Sequence, residues 1–218
     1  MTRRSSTDIV KAPFALNEIE RSTAISCRHL PMPNEFSGNP KTEWLEEPGD
    51  DRRMSLLEAF WYEDPAGRRW GAPVGSVIDG ASIPAPLWSI LGSPYTGDYR
   101  RASIVHDVAC ADPLVDRAEA DKMFYYACLA GGCSERQAQL LYAGVRIGAW
   151  TPAVRLWSEA AVHRPIVTKH GVNLTLTESS IKTTFYEIAS ELESQPPDLP
   201  VESLQRIVDK HLSAKAMQ

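Results

Sequence analysis

Residues 102–127, ASIVHDVACADPLVDRAEADKMFYYA, set a His-Asp pair, His106 and Asp107, into an apolar run patterned as a helix. A third acid, Asp121, follows on what reads as the next helix. An imidazole steadied by a carboxylate keeps one ring nitrogen protonated and leaves the other to take a proton from water, which is the task of a general base. Asp107 could bind a hard cation such as calcium together with oxygens of the DGAS loop, residues 79–82, because a Gly-containing turn presents carbonyls. Such an ion would polarise a substrate carbonyl or phosphoryl oxygen. The same side chains could equally satisfy one another in a helical core, with Asp79 serving only its Asp-Gly turn. Spacing alone leaves both readings open.

Helical phase separates the three residues. With a step of about 100° per residue, Ala102, Val105 and Ala109 lie near His106, so the imidazole shares the apolar face. Asp121 shares a stripe with Ala118, Tyr125 and Cys128 on the following helix. A short connection makes the two helices neighbours, which predicts that His106 meets Asp121 across the interface. Asp107, one step round, is predicted to look aside toward the DGAS loop.

The elements that must position these residues carry explicit boundary signals. Helix pattern begins near Asp98 and stops before Pro113. Asp116, three residues before Glu119, opens a second helix as a capping box, and Gly131 and Gly132 close it. Ser134 and Gln137 repeat that spacing at the start of a third helix reaching Ala149, and Thr151-Pro152 suggests a short fourth. Upstream, MSLLEAFWY and WGAPVGSVID flank the turn EDPAGRR and read as a β-hairpin that leads into the loop DGASIPAPLW.

The expected fold is α+β: a mainly helical core of three to four antiparallel helices with a small β-hairpin or sheet, plus a C-terminal helical extension. Its divisions are an irregular N-terminal arm over 1–50 with room for one edge strand, a His-Asp core domain over 51–164, and an extension over 165–218. In that extension VNLTLT alternates as a strand. Ile181, Phe185, Ile188 and Leu192 then form one apolar stripe, and Leu204, Ile207, Val208 and Leu212 a second, separated by QPPDLP. These helices either pack on the main core or serve as a docking or oligomerisation tail over 178–214.

Across 218 residues, 43% hydrophobic and 23% charged, the composition is that of a soluble globular protein with one sizeable core. A net charge of -5 argues against a nucleic-acid binder, which needs clustered Lys and Arg. No charge-free apolar run approaches the roughly 18 residues of a membrane span. The first twenty residues lack the apolar region of a signal peptide, so the expected location is the cytoplasm. Cys27, Cys110, Cys128 and Cys133 show no zinc spacing and read as reduced thiols, with a Cys110–Cys128 bridge as the alternative. Trp61, Trp70, Trp88 and Trp150 read as core anchors. A His-Asp phosphohydrolase would need further metal-binding histidines, and His29, His163, His170 and His211 lack the context.

Together these blocks resemble a phage and prophage family catalogued as domain of unknown function 1353. Its hallmark stretch, Val-Pro-x-Gly-Phe-x-Thr-Asp-Gly-Ala-Ser-Ile-Pro, is matched by Pro73, Gly75 and the run Asp79, Gly80, Ala81, Ser82, Ile83, Pro84. Gly97, Tyr99, His106, Asp107, Ala120 and Asp121 match its later blocks, while Ser76 and Ile78 replace the Phe and Thr. The resemblance covers about residues 54–150. It implies a phage setting, host-cytoplasmic or virion-associated, without supplying an activity. The His-Asp helix followed by an inward Asp also resembles the helix pair of phospholipases A2, in which the His activates water, the adjacent Asp binds calcium and the later Asp orients the His. Both families carry Tyr four residues after the His, where this chain has Cys110.

Two functions follow as expectations. One is a hydrolase of lipid esters with His106 as base, Asp121 as its orienter, and Asp107 with Asp79 around calcium or another divalent cation. Ser82 and Tyr99, from the matched blocks, and the cationic Arg100 are its candidate substrate contacts. The other is a non-enzymatic phage accessory or virion-assembly protein that docks a phage or host protein through the C-terminal helices.

Overall fold

A computed structural model describes residues 34–46, 53–92, 97–150 and 178–216. The predicted fourth helix, the strand at VNLTLT, Cys27, His29, His163 and His170 lie outside the described residues.

The predicted hairpin forms, but over only the inner part of its two runs. Strand β4 (Phe60–Glu63) pairs antiparallel with β5 (Arg69–Ala72) from Phe60–Ala72 to Glu63–Arg69. The turn between them is closed by Asp64, whose Oδ1 accepts the amides of Ala66 and Arg68, both at 2.9 Å. The outer parts of the runs, β3 (Met54–Leu56) and β6 (Val77–Ile78), pair with each other in a second sheet. Pro73 explains the break, because it has no amide to continue the ladder. Gly75, at φ 79°, then turns the chain so that its amide reaches the Leu56 carbonyl at 2.7 Å.

Two further strands lie in the segment read as an irregular arm. β1 (Glu35–Phe36) joins β4, and β2 (Thr42–Trp44) joins β3. The result is two three-stranded antiparallel sheets, ordered β1-β4-β5 and β2-β3-β6. Strands of two or three residues show too little alternation to be read from sequence. The loop DGASIPAPLW likewise holds a 3-10 turn at Ala85–Leu87 and a single helical turn, α1 (Trp88–Leu91).

Five long helices follow this scheme more closely. α2 (Arg100–Ala111) ends two residues before Pro113. α3 (Arg117–Gly131) starts where Asp116 accepts the amides of Ala118 and Glu119, and it stops at Gly132, which is left-handed at φ 109°. α4 (Glu135–Trp150) begins after Ser134, whose hydroxyl accepts the Gln137 amide at 3.3 Å. α5 (Glu178–Glu193) and α6 (Val201–Ala216) complete the chain.

α2 packs on β4, β5 and β6 on one side and on α3 on the other, while α4 lies between α3 and the α5–α6 pair. The apolar stripes of α5 and α6 are spent here: Ile181, Phe185, Ile188, Leu192, Leu204, Val208 and Leu212 are all buried in one core with the rest. α4 holds the Pro-rich connection as well, with Arg136 donating to the carbonyls of Leu192 and Gln195 and Gln139 donating to that of Pro197. No helix among the described residues is long and apolar enough to cross a membrane.

Of the predicted anchors, Trp70 is buried, and Trp61, Trp88 and Trp150 are half-buried. Cys110 and Cys128 are separate thiols rather than a bridge.

Candidate functional site

His106 and Asp121 meet as their helical phases predict. Nε2 lies 2.8 Å from Asp121 Oδ1, and both side chains are 0% exposed. Two arginines complete the cluster. Arg117, one turn before Asp121 on α3, donates from Nε to Oδ1 at 3.0 Å. Arg146 of α4 donates from Nη1 to Oδ2 at 3.3 Å and from Nη2 to Asp209 of α6 at 2.8 Å. One carboxylate therefore ties α2, α3 and α4, and Arg146 extends the tie to α6.

Burial by itself would raise the Asp121 carboxyl, but Arg117, the His106 hydrogen bond and Arg146 outweigh it and hold the group at about 2. Burial moves His106 below its ordinary 6.5, and Arg117 adds to that shift while Asp121 opposes it. The imidazole is thus neutral beside an ionised carboxylate. Since that carboxylate only accepts, Nε2 carries the proton and Nδ1 is the basic nitrogen.

That tautomer suits a general base, but access does not. The ring packs on Phe124, with centroids 4.8 Å apart, and Cys110 Sγ stands 3.4 Å from Nε2 and 3.8 Å from Nδ1. Burial pushes the Cys110 thiol up, so it stays protonated and weakly nucleophilic.

A buried neutral histidine makes folding depend on pH. Protons bind the unfolded chain more readily than the folded one, so stability is full above about pH 6.5 and falls as pH drops below it. The slope expected from His106 is at most about 1.4 kcal/mol per pH unit. Urea unfolding of wild type against His106→Gln between neutral and mildly acid pH should show this slope only in wild type.

His106, Cys110 and Asp121 also bring three metal-type ligand atoms within 4.8 Å of one another. The donor set does not fit a cation, because both Asp121 oxygens already face guanidinium groups and the thiol holds its proton.

Asp107 turns toward the DGAS loop, as its phase predicts, and there the loop shows it the opposite polarity from the one a cation needs. Asp107 Oδ2 accepts the amides of Asp79 at 3.1 Å and Gly80 at 2.7 Å. A cation seat would require carbonyls at this point. The Asp79 side chain is exposed, yet its charge, after burial, is the next cause that raises Asp107 well above the ordinary carboxylate range.

The three candidate substrate contacts separate. Arg100 is exposed and, with Asp107, lines a cleft of about 160 Å³. Tyr99 is buried beneath Gly92, and burial, with Cys128 and Cys133 nearby, pushes its hydroxyl up to about 12. Ser82 is half-buried, and its carbonyl presses on α4, where a Cβ at Gly148 would stand 2.0 Å from the oxygen. His211 belongs to neither site. It pairs with Glu191 at 2.7 Å between α6 and α5.

Sequence reasoning overlooked Arg117, Arg146, Asp209 and Gly148. Arg117 was legible as an i,i+4 partner of Asp121. Arg146 interrupts the apolar run AGVRIGA, a charge that needs a buried partner. Asp209 and Gly148 carry no comparable local signal.

Residues 54–145 match the model of the family described as "Protein of unknown function (DUF1353)". The chain is similar to two uncharacterised proteins of Sinorhizobium fredii (strain NBRC 101917 / NGR234). It is 35% identical to y4jT over 49% of its own length and 32% of the relative's. It is 36% identical to y4iH over 46% of its own length and 42% of the relative's. The chain therefore spans well under two thirds of these curated relatives, and no solved structure matches it.

Proposed function

We propose that the His106–Asp121 pair is an internal lock and that the chain is a non-enzymatic accessory protein whose working surface is the cleft lined by Arg100 and Asp107. The observation that carries this reading is the complete burial of both members of the pair, which gives Nδ1 no water to activate. Asp107, in the same reading, pins the DGAS loop to α2 through two amides and holds no ion. A phage setting, which the family resemblance implies, would put such a module in the host cytoplasm or the virion. Because the apolar stripes of α5 and α6 are buried, a protein partner would meet the cleft or the polar faces of those helices.

The 2.8 Å contact and the basic Nδ1 favour a second reading, a lipid-ester hydrolase with His106 as base and Asp121 as orienter. One experiment separates the two. Wild type and His106→Ala are assayed on phospholipid vesicles and on a soluble ester, with and without calcium, and both are unfolded in urea. The lock predicts no turnover that depends on His106 and a stability loss of about 2–4 kcal/mol, from a cavity plus an Asp121 deprived of its partner. Ester hydrolysis lost on substitution of His106 would overturn it.

A further inference from the structure

The cleft has a directional charge pattern. Arg100, Ser103, Ile104 and Asp107 face it from α2 at i, i+3, i+4 and i+7, a single stripe of that helix. Met54, Ile78 and Trp44 of the second sheet form much of the opposite wall, and Trp44 is 59% exposed. Arg100 and Asp107 occupy the two ends of the stripe, their backbone positions two turns and ~10 Å apart along the helix axis. Arg100 has no ion pair among the described residues, and Asp107 commits Oδ2 to the loop amides and leaves Oδ1 without a hydrogen bond among them. Ser103 adds no polar group to the middle, because its hydroxyl is spent on the Tyr99 carbonyl at 3.1 Å.

We propose that this cleft holds an apolar-bodied zwitterion, its carboxylate on Arg100 and its ammonium on Asp107, with the body lying between Ile104 and the Trp44, Met54 and Ile78 wall. Three extended residues span ~10 Å, so a short apolar peptide with both termini free matches the axial separation of the two positions. The guanidinium fork suits a carboxylate, and an ammonium supplies the donors that Oδ1 lacks. This inference rests on the reading of the cleft as the working surface.

The test is calorimetric titration of the intact chain with Ala-Leu-Ala, with its N-acetylated and C-amidated forms, and with ω-aminooctanoate. Saturable binding of Ala-Leu-Ala at or below millimolar concentration is expected, weakened about tenfold or more by either cap. Arg100→Ala, at an exposed position, should lose a similar factor and make amidation neutral. Equal binding of ω-aminooctanoate would support the charge spacing as the recognised feature, and its weaker binding would support recognition of a peptide backbone as well. No saturable binding by ~10 mM, or equal binding of the capped peptides, would overturn the proposal. Neither result touches the lock reading, which is tested by turnover and by stability at His106.

Discussion

Asp121→Ala is expected to cost about 3–5 kcal/mol of unfolding free energy, the largest effect of a single polar substitution in this protein. The carboxylate accepts from His106, Arg117 and Arg146 at once, and all three contacts are lost together. What is left is two neighbouring guanidinium groups, one of them 10% exposed at the side chain, with no anion between them. The like charges repel, Arg117 loses the carboxylate that compensated its desolvation, and Arg146 keeps only the half-exposed Asp209. Asp121→Asn keeps the shape but not the charge, so it should fall between wild type and Ala. Asp209→Ala removes a carboxylate that is 46% exposed and should cost less than about 1 kcal/mol. Urea midpoints at neutral pH measure all three. A loss at Asp121→Ala no greater than that at Asp209→Ala would mean that the cluster does not hold the helices together.

Gly148→Ala is expected to cost about 1–3 kcal/mol, toward the upper end, and to loosen the DGAS loop. The added Cβ would lie 2.0 Å from the Ser82 carbonyl oxygen and 3.4 Å from Pro84 Cδ. Both sides of that contact are backbone or ring, so no side chain can swing away. The loop must lift off α4, and the Asp79 and Gly80 amides then leave Asp107. Hydrogen exchange at those two amides should accelerate in the variant along with the lower urea midpoint. Gly71→Ala is the control, since a Cβ there meets nothing within 4 Å. It should stay within about 0.5 kcal/mol of wild type. Unchanged exchange at Asp79 and Gly80 in Gly148→Ala would show that the loop is not held by this contact.

The long helices were readable because their limits are written locally. Asp116, Gly132 and Ser134 each satisfy or end a backbone ladder within four residues, and α3 and α4 begin and stop beside them. The strands were less readable. A run such as MSLLEAFWY is apolar throughout, and only Pro73 and the turn at Gly75 decide that its two ends serve different sheets.

Sequence by itself determined that His106 faces Asp121 and that Asp107 looks toward the DGAS loop, because helical phase is a local property of a short, well-capped hairpin. Only the tertiary structure decided what those contacts are worth. Arg146 lies 25 residues from Asp121, and Asp209 a further 63 along, so no spacing rule couples them. Solvent access to His106 depends on Phe124 and Cys110 closing over one ring, and the polarity of the loop depends on which backbone groups its path turns toward Asp107. Access and polarity are both set by the packing of distant elements.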